Sequence, residues 1–251
     1  MHGWRDEAII LTVAKHGENG AVARLLSHDH GLYGGYVRGG ASRRRRGDLQ
    51  PGNGVVAGWQ ARTLEQLGHF ELEVKAPRAA LAMTDADRLA GLAALVAITA
   101  TALPERIAYP RVQAGLAAAL DLVIAPEVAM AAWTAGIVRY ELGLLAELGF
   151  GLRLEKCAAT GAGEDLVYVS PKSGQAVSRT AGAPYADRLL TLPGFLGPAA
   201  GSAPAGRDAL LAGLALTGHF LAAHILHPKA AAFPKARLRF IDRLRRQGGV
   251  I

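Results

Sequence analysis

The sequence predicts a multi-domain α+β protein, in which an N-terminal five-stranded β-barrel of the OB type precedes an α-helical domain. Three observations lead to this prediction. Short apolar runs separated by turn-forming residues fill residues 8–75, the apolar residues recur at helical spacing from residue 84, and residues 151–185 break that helical pattern. We therefore expect the barrel at residues 1–78 and the helical domain at residues 79–251, with a small ribbon-like module inserted at residues 151–185.

The five strands are predicted from apolar runs that are rich in β-branched and aromatic residues. They cover residues 8–14, 21–27, 32–37, 53–61 and 68–75. Clusters of Gly, Asn, Asp and His separate the first three, as turns require. In the last run Phe70, Leu72 and Val74 alternate with polar residues, which is typical of a half-buried strand. The pattern fits a closed OB barrel, although an SH3-like barrel has the same pattern.

The helices are predicted from apolar residues three and four positions apart, and from the prolines and glycines that end each run. They cover residues 84–103, 111–125, 127–148, 185–192, 207–226 and 235–247. Thr84, followed by Asp87 three residues later, resembles a helix N-cap. Inside the inserted module, residues 167–169 predict a short strand. Pro77 marks the expected boundary between the barrel and the helices.

The composition is that of a folded protein with an anionic partner. Of the 251 residues, 51% are apolar and 20% are charged, the formal net charge is +7 and the pI is about 9.8. Residues 229–251 hold seven Lys and Arg against one Asp, so the excess of positive charge is greatest at the C-terminal end. The apolar stretches, such as residues 89–103, are expected to be too short to span a bilayer, and we expect a soluble intracellular protein with no membrane partner.

An arginine-rich segment is the first candidate site. This segment, residues 38–52, is called the basic loop, and its cations are Arg38, Arg43, Arg44, Arg45 and Arg46. Four adjacent guanidinium groups are not buried together, because removing each from water costs several kcal/mol. Its glycines allow the segment to loop freely. An arginine run also fits a loop that is merely solvated. Since guanidinium groups match phosphate oxygens, we favour a phosphate-binding loop, which would bind a nucleic-acid backbone with Tyr36 beside it stacking on a base.

The last predicted helix is the second candidate site. Its basic residues are Lys235, Arg237, Arg239, Arg243, Arg245 and Arg246, against the single acidic residue Asp242. Two basic surfaces on one chain fit a protein that holds two strands together. Tyr33 and Trp59 are further aromatic candidates for base stacking, although each also fits a position in the core.

Catalytic motifs are absent from the sequence. No P-loop, HExxH or GxSxG is present, and we predict no catalytic residue, no metal site and no cofactor. His28 and His30 with Asp29 fit a solvated turn better than a metal site. An enzyme built on His219, His224 and His227 is an alternative, which the lack of nearby carboxylates disfavours.

An ordered series of short motifs resembles the RecO family of recombination mediators. The series is RDEAIIL at 5–11, KHGE at 15–18, LLSHDHG at 25–31, YVRGG at 36–40, LQPG at 49–52, YELGLL at 140–145 and LGF at 148–150. The resemblance implies a DNA repair protein, not an enzyme, of the bacterial cytoplasm and nucleoid. It implies binding of single- and double-stranded DNA, annealing of complementary strands, partnership with RecR, contact with the C-terminal tail of SSB, and, indirectly, loading of RecA at gaps.

Two details follow from the resemblance. Arg111 and Arg139 are candidates for contact with the acidic SSB tail. Many members carry two CxxC pairs that bind zinc in the inserted module, whereas this chain has Cys157, Thr160, Ser178 and Ala181 at those positions. Because a structural zinc site needs thiolates, the module is expected to fold without metal. The alternative function is that of an RNA-binding protein, ribosome- or RNA-associated, with the same barrel and loop, since arginines do not distinguish DNA from RNA.

Overall fold

The computed structural model describes residues 2–43, 45–198 and 205–246. The chain forms two compact units. The first contains the described residues up to Ala125 together with Pro234–Arg237, and the second contains Pro126–Phe233 and the helical residues from Leu238. The change from strands to helices falls at residues 76–78, where the sequence places its domain boundary. That boundary stays a prediction, because the compact units divide after Ala125 instead.

The first unit contains the predicted five-stranded barrel. Its strands are β1 (His2–His16), β2 (Gly20–Ser27), β3 (Gly31–Val37), β4 (Gly54–Ala61) and β5 (His69–Ala76). The barrel closes in the order β1-β2-β3-β5-β4, and only β3 and β5 run parallel, meeting at Tyr36 and His69. This order is that of an OB barrel, so the predicted fold class is confirmed and the SH3-like alternative is excluded.

The barrel core consists of small and large side chains in alternation. Leu25, Trp59 and Phe70 are buried among alanines of β1, β2 and β4. Gly35 leaves room for the Phe70 ring, since a Cβ at Gly35 would lie 2.4 Å from that ring. Strand β1 pairs with β4 along its first half and with β2 along its second half, with a bulge between Ile10 and Thr12. The bulge bends the strand, as closing a small barrel requires.

Three helices complete the first unit: α1 (Arg78–Ala82), α2 (Ala86–Ala102) and α3 (Pro110–Ile124). The N-cap of α2 is Asp85, whose Oδ1 accepts hydrogen bonds from the backbone nitrogens of Asp87 and Arg88 at 2.7 and 3.2 Å. The predicted cap, Thr84, therefore lies one residue too early. Arg78 is buried and donates two hydrogen bonds to Asp121, at 2.6 and 3.0 Å, which joins α1 to α3.

The second unit combines helices with a small sheet. Its elements are α4 (Met130–Glu147), β6 (Leu166–Val169), β7 (Ala176–Ser178), α5 (Arg179–Gly182), β8 (Leu190–Thr191), α6 (Arg207–Leu221) and, in part, α7 (Lys235–Arg246). The predicted helix at residues 185–192 is wrong. A 3-10 turn occupies Ala183–Arg188, and Leu190 and Thr191 pair with Val169 and Tyr168 instead of continuing it.

Helix α6 continues into a π-helical turn at Ala222–Leu226. The whole run Arg207–Lys229 is long and apolar enough, by length and composition, to cross a membrane, which the sequence analysis did not foresee. Half of its most apolar window is buried inside the protein, and Leu210, Leu214 and Phe220 belong to the core. The apolar character of this run is therefore used, at least in part, for packing.

Candidate nucleic-acid interface

The basic loop joins β3 to β4 and is hydrogen-bonded at intervals along its backbone. Ala41 N donates to the carbonyl of Asn19 at 3.2 Å, Arg45 N to Ser42 at 3.2 Å, and Leu49 N to Arg45 at 3.0 Å. Arg44 lies outside the described residues. The glycines predicted a segment that loops freely, whereas the structure shows a folded loop that is fixed to the β1–β2 turn near its start.

Asn53 fixes the other end of the basic loop. Its side chain is only 1% exposed, and its Nδ2 donates to the carbonyls of Gly47 and Asp48 at 3.1 and 3.0 Å. Its Oδ1 accepts a hydrogen bond from Ala79 N at the start of α1, also at 3.0 Å. The two carbonyls belong to the residues that directly follow the arginine run. The Asn53 amide therefore fixes the backbone at the C-terminal end of that run.

A third anchor lies between the two ends. Leu49 is buried in the barrel core beside Ala21 and Val37, although it belongs to the loop and not to a strand. Gln50, next to it, donates from Nε2 to the carbonyl of Arg46 at 2.6 Å. The arginines are thus carried on a short segment whose neighbours are immobilised by packing and hydrogen bonds.

The described guanidinium groups of the basic loop have no carboxylate partner. Arg38, Arg43, Arg45 and Arg46 make no ion pair within the part of the chain that the structure describes. Elsewhere in the same unit arginines are paired: Arg5 with Glu73, Arg24 with Glu105 and Arg78 with Asp121, at 3.1, 3.1 and 2.6 Å. The loop therefore concentrates uncompensated positive charge, which favours an anionic ligand.

An open cleft lies beside the loop, at the seam where β3 meets β5. Its volume is about 770 Å³, and we call it the Tyr36 cleft. Its lining residues are Tyr36, Arg38, Arg45, His69, Phe70, Glu71 and Leu72. Arg38 and Arg45 thus face the cleft, whereas Arg43 and Arg46 are exposed and are not among its lining residues.

Of the three candidate aromatic residues, Tyr36 is the one that lines this cleft. Its ring is half-buried, packs edge-on against His16 at 6.0 Å, and lies over Gly20. Trp59 is fully buried and donates from Nε1 to the carbonyl of Leu67 at 3.0 Å, so it belongs to the core. Tyr33 packs edge-on against Trp59, and the guanidinium of Arg106 lies 5.4 Å from the centre of its ring.

The C-terminal helix α7 presents most of its predicted cations to solvent. Lys235, Arg239, Arg245 and Arg246 are exposed and Arg243 is half-buried, while Arg245 pairs with Asp242 at 3.4 Å. Arg237 is different, since it is only 3% exposed. It lies on the same face of the helix as Phe240 and Leu244, which are also buried. That face therefore takes Arg237 away from any surface that a nucleic acid could reach.

The two arginines suggested for the SSB tail lie in different units. Arg111 is exposed in the first turn of α3. Arg139, on α4, donates from Nη2 to the carbonyl of Phe195 at 3.2 Å, and its guanidinium lies 5.6 Å from the centre of the Phe195 ring. Arg139 therefore already has a packing role, and contact with a peptide tail stays a prediction for both residues.

The four positions that correspond to the family's zinc ligands offer one thiol. Cys157 is 3% exposed, its Sγ lies 3.5 Å from Ser178 Oγ, and it accepts a hydrogen bond from Ser178 N at 3.3 Å. Burial raises the pKa of the Cys157 thiol, but hydrogen bonds from Ser178 and Thr160 outweigh burial and lower the pKa to about 6. One thiol with hydroxyl neighbours does not fit a structural zinc site, and Ala181 offers no ligand atom.

The histidines considered above have packing or turn roles. His28 and Asp29 lie near Asp6, with ligand atoms within 4.8 Å of one another. Asp6 already accepts hydrogen bonds from the backbone nitrogens of Glu7 and Asp29, both at 2.7 Å, and from the hydroxyl of Ser27. Burial raises the pKa of Asp6, but these hydrogen bonds outweigh it and leave the pKa below its usual value. His30 stacks on Trp4 at 4.6 Å.

The helical histidines are similarly engaged. His224 stacks on Phe150 with ring centres 4.7 Å apart, and His219 Nε2 lies 3.2 Å from the carbonyl of Pro171. His227 is exposed. Because His224 packs against an aromatic ring and His219 contacts a backbone carbonyl, this helix offers little support for the enzyme alternative.

Sequence reasoning missed several residues of this site. Asn53, Leu49, His69 and Glu71 were not predicted as contributors. Asn53 begins the fourth predicted strand and Leu49 belongs to the LQPG motif, but neither pattern reveals their roles, because their partners at Ala79 and in the barrel core are distant in sequence. In contrast, Arg237 could have been excluded, because its spacing of three and seven residues from Phe240 and Leu244 places it on the apolar face.

Comparison with known proteins agrees with the resemblance. The family model described as "Recombination protein O N terminal" matches residues 1–76, and "Recombination protein O C terminal" matches residues 83–231. The chain is 48% identical over 245 residues to the DNA repair protein RecO of Phenylobacterium zucineum, with 98% of each chain covered. It is 47% identical over 248 residues to that of Rhodospirillum rubrum, again with 98% of each covered. The corresponding protein of Caulobacter vibrioides is 46% identical over 241 residues, or 96% of this chain and 97% of that one.

Proposed function

The chain belongs to the RecO family of DNA repair proteins, and from that premise we propose that it binds single- and double-stranded DNA and anneals complementary strands, SSB-coated strands included. Its role in DNA repair and recombination follows from family membership. The proposal adds that it acts with RecR and the SSB tail so that RecA is loaded at gaps, and that it works in the cytoplasm at the nucleoid.

The observation that carries the DNA-binding proposal is the uncompensated positive charge of the anchored basic loop. Its described guanidinium groups lack carboxylate partners, while the loop backbone is anchored at Ala41, Leu49 and Asn53. Phosphates would supply the missing counter-charge through charge-assisted hydrogen bonds. Since the loop is already folded, little conformational entropy is lost when DNA binds.

Annealing requires that one protein molecule holds two strands. The basic loop would hold one strand, and the exposed cations of α7, namely Lys235, Arg239, Arg245 and Arg246, would attract the other. Both contacts go to the phosphate backbone, so they are independent of base sequence, as annealing of arbitrary complements demands. The work is a rearrangement of non-covalent complexes, and the proposal assigns no catalytic residue and no cofactor.

The test replaces Arg43, Arg44, Arg45 and Arg46 together by alanine. DNA affinity is measured by fluorescence anisotropy over a range of salt concentrations, and annealing of complementary oligonucleotides is measured with and without SSB. Each lost phosphate contact reduces the slope of log K against log salt by about 0.7 for single strands and about 0.9 for duplexes. We therefore expect weaker binding, a flatter slope and slower annealing.

Arg188 provides the control, because it is highly exposed, lies in the other unit and pairs with its neighbour Asp187 at 4.0 Å. Its replacement by alanine is expected to leave the slope unchanged. An unaltered salt slope in the variant that lacks all four arginines would show that the basic loop is not part of the interface. Equal competition by RNA and DNA oligonucleotides, together with absent annealing, would favour an RNA-binding function instead.

A further inference from the structure

We propose that the basic loop carries two separable DNA-binding surfaces, and this inference rests on the function proposed above. The Tyr36 cleft, with Arg38 and Arg45, takes an unstacked nucleotide and therefore binds single-stranded DNA alone. Arg43 and Arg46, which are exposed outside that cleft, bind the backbone of single strands and duplexes alike. Arg43, Arg45 and Arg46 belong to one uninterrupted arginine run in the sequence, and it is the fold that divides them.

The chemistry of the Tyr36 cleft matches a nucleotide part by part. The ring of Tyr36 and the edge of Phe70 offer an aromatic surface for a base, and two guanidinium groups without carboxylate partners offer contacts for its phosphate. The volume of about 770 Å³ and the open mouth leave room for a continuous strand to enter and leave. A cleft that was only apolar, or only basic, would not combine both kinds of contact.

Charge within the cleft also sets an orientation for the strand. Glu71 lines the β5 side, whereas Arg38 and Arg45 belong to the loop side. A phosphate on the β5 side would be repelled by the Glu71 carboxylate, so the backbone follows the loop and the bases point toward β5 and Tyr36. His69 and Glu71 then face the base edges and not the phosphates.

The Tyr36 ring is held in place before any ligand arrives. It lies over Gly20, where a Cβ would be only 2.2 Å from the phenolic oxygen. It also packs edge-on against His16, while the backbone nitrogen of Tyr36 donates to the carbonyl of Gly68 at 3.0 Å. Glycine at position 20 is therefore what lets the ring lie against the strand and keeps it available as a fixed stacking surface.

A duplex cannot use this surface, because its bases are covered on both faces by their neighbours and are paired along their edges. Stacking on a protein ring requires that the base has left the helix. Phosphates, in contrast, are accessible in both forms of DNA. Tyr36 thus contributes only to single-strand affinity, while Arg43 and Arg46 contribute to both.

The experiment compares single variants on two ligands. Tyr36→Ala, Arg45→Ala, Arg43→Ala and Arg46→Ala are each titrated with an oligothymidine and with a duplex of the same length, at one salt concentration. Tyr36→Ala is expected to weaken oligothymidine binding by roughly 5- to 150-fold, the range for loss of one base stack, and to leave duplex binding unchanged. Arg45→Ala is expected to weaken single-strand binding more than duplex binding, whereas Arg43→Ala and Arg46→Ala weaken both by the same factor.

Two further variants control for folding and for the hydroxyl group. Tyr36→Phe keeps the ring and is expected to bind both ligands like the unaltered protein. Gly20→Ala displaces the ring without removing it and is expected to reproduce the selective loss of single-strand binding. Thermal unfolding of every variant shows whether the barrel is intact, and if Tyr36→Ala does not fold, the comparison of Arg45→Ala with Arg43→Ala decides.

The outcomes separate this inference from the function on which it rests. If the unaltered protein binds neither ligand, the proposed function itself fails. If it binds both, but Tyr36→Ala and Arg45→Ala reduce single-strand and duplex binding by equal factors, the loop is one undivided surface and the inference is overturned.

Discussion

Asn53 Oδ1 accepts a hydrogen bond from the backbone nitrogen of Ala79 at 3.0 Å, which ties the residue after the basic loop to the first turn of α1. The same side chain donates to the carbonyls of Gly47 and Asp48. A single buried amide therefore connects the barrel, the loop and the first helix, and the position of the arginines depends on all three hydrogen bonds.

Replacing Asn53 by alanine should loosen the basic loop. The substitution leaves the Ala79 nitrogen and two carbonyls without their partner, and an unsatisfied buried polar group costs about 1–3 kcal/mol. We expect a lower free energy of unfolding in urea, faster amide exchange in residues 39–52, and weaker DNA binding. Asp121→Asn is the control, because it weakens the α1–α3 ion pair of the same unit without touching the loop. If Asn53→Ala loses stability but exchanges its loop amides no faster than the control does, Asn53 does not anchor the loop.

The buried pair Thr217 and Glu141 should contribute measurably to the stability of the second unit. The Thr217 hydroxyl donates to Glu141 Oε2 between α6 and α4, and both residues are at most 1% exposed. Thr217→Val preserves shape but removes that donor, so the free energy of unfolding is expected to fall by about 1–3 kcal/mol. Thr217→Ser keeps the hydroxyl and should recover most of the hydrogen-bond contribution. Equal losses of unfolding free energy in the two variants would show that packing, and not the hydrogen bond, accounts for the effect.

Cys157 should make stability depend on pH in the neutral range. Its folded pKa of about 6 lies below the ordinary value of 9.0, so the folded state favours the thiolate. The resulting stabilisation is fully present above pH 9 and is lost as the pH falls through 6. Cys157→Ser should therefore abolish a rise in unfolding temperature between pH 6 and pH 9 that the unaltered protein shows. Parallel pH profiles for the two proteins would contradict this ionisation.

The module around Cys157 is expected to need no zinc. Metal analysis of purified protein should find far less than one zinc per chain, and a chelator should leave the unfolding temperature unchanged, because Thr160, Ser178 and Ala181 supply no thiolate. A tightly held stoichiometric ion would show that other residues provide the ligands.

Arg237 and Arg239 should differ although they occupy one helix and carry the same charge. Arg237 is buried and Arg239 is exposed. Arg237→Ala is expected to lower the unfolding temperature, since a buried side chain with its contacts is lost, whereas Arg239→Ala should leave it unchanged and weaken DNA binding. A calorimetric scan and an anisotropy titration of each variant test this. The reverse pattern would show that Arg237, and not Arg239, contacts DNA.

The barrel was predictable from sequence because its signals are local. Alternation and turn clusters placed four of the five strands within about two residues of their observed ends, within the usual uncertainty of such boundaries. Strand β1 is longer than predicted, because Trp4 is the one large apolar residue in its first six positions, so that this part lacks the alternation that indicates a strand. The two-residue strand β8 was mistaken for helix, because only its pairing with β6 defines it.

The site was only partly predictable, for the same reason. The arginine run and Tyr36 are visible in one segment, but the wall that faces them, with His69 and Glu71, comes from β5 and is brought there by barrel closure. No local sequence pattern predicts that β5 becomes the neighbour of β3 when the barrel closes. The division of the arginines between cleft and exterior likewise depends on the path of the loop, which Asn53 and Leu49 determine.

Leu49 has one more consequence. Because this side chain is part of the barrel interior, the arginine segment cannot swing away while the barrel stays intact. Heating should therefore loosen the arginine segment and melt the barrel at one shared temperature, as a single all-or-none event, with no earlier stage at which the loop alone has come free.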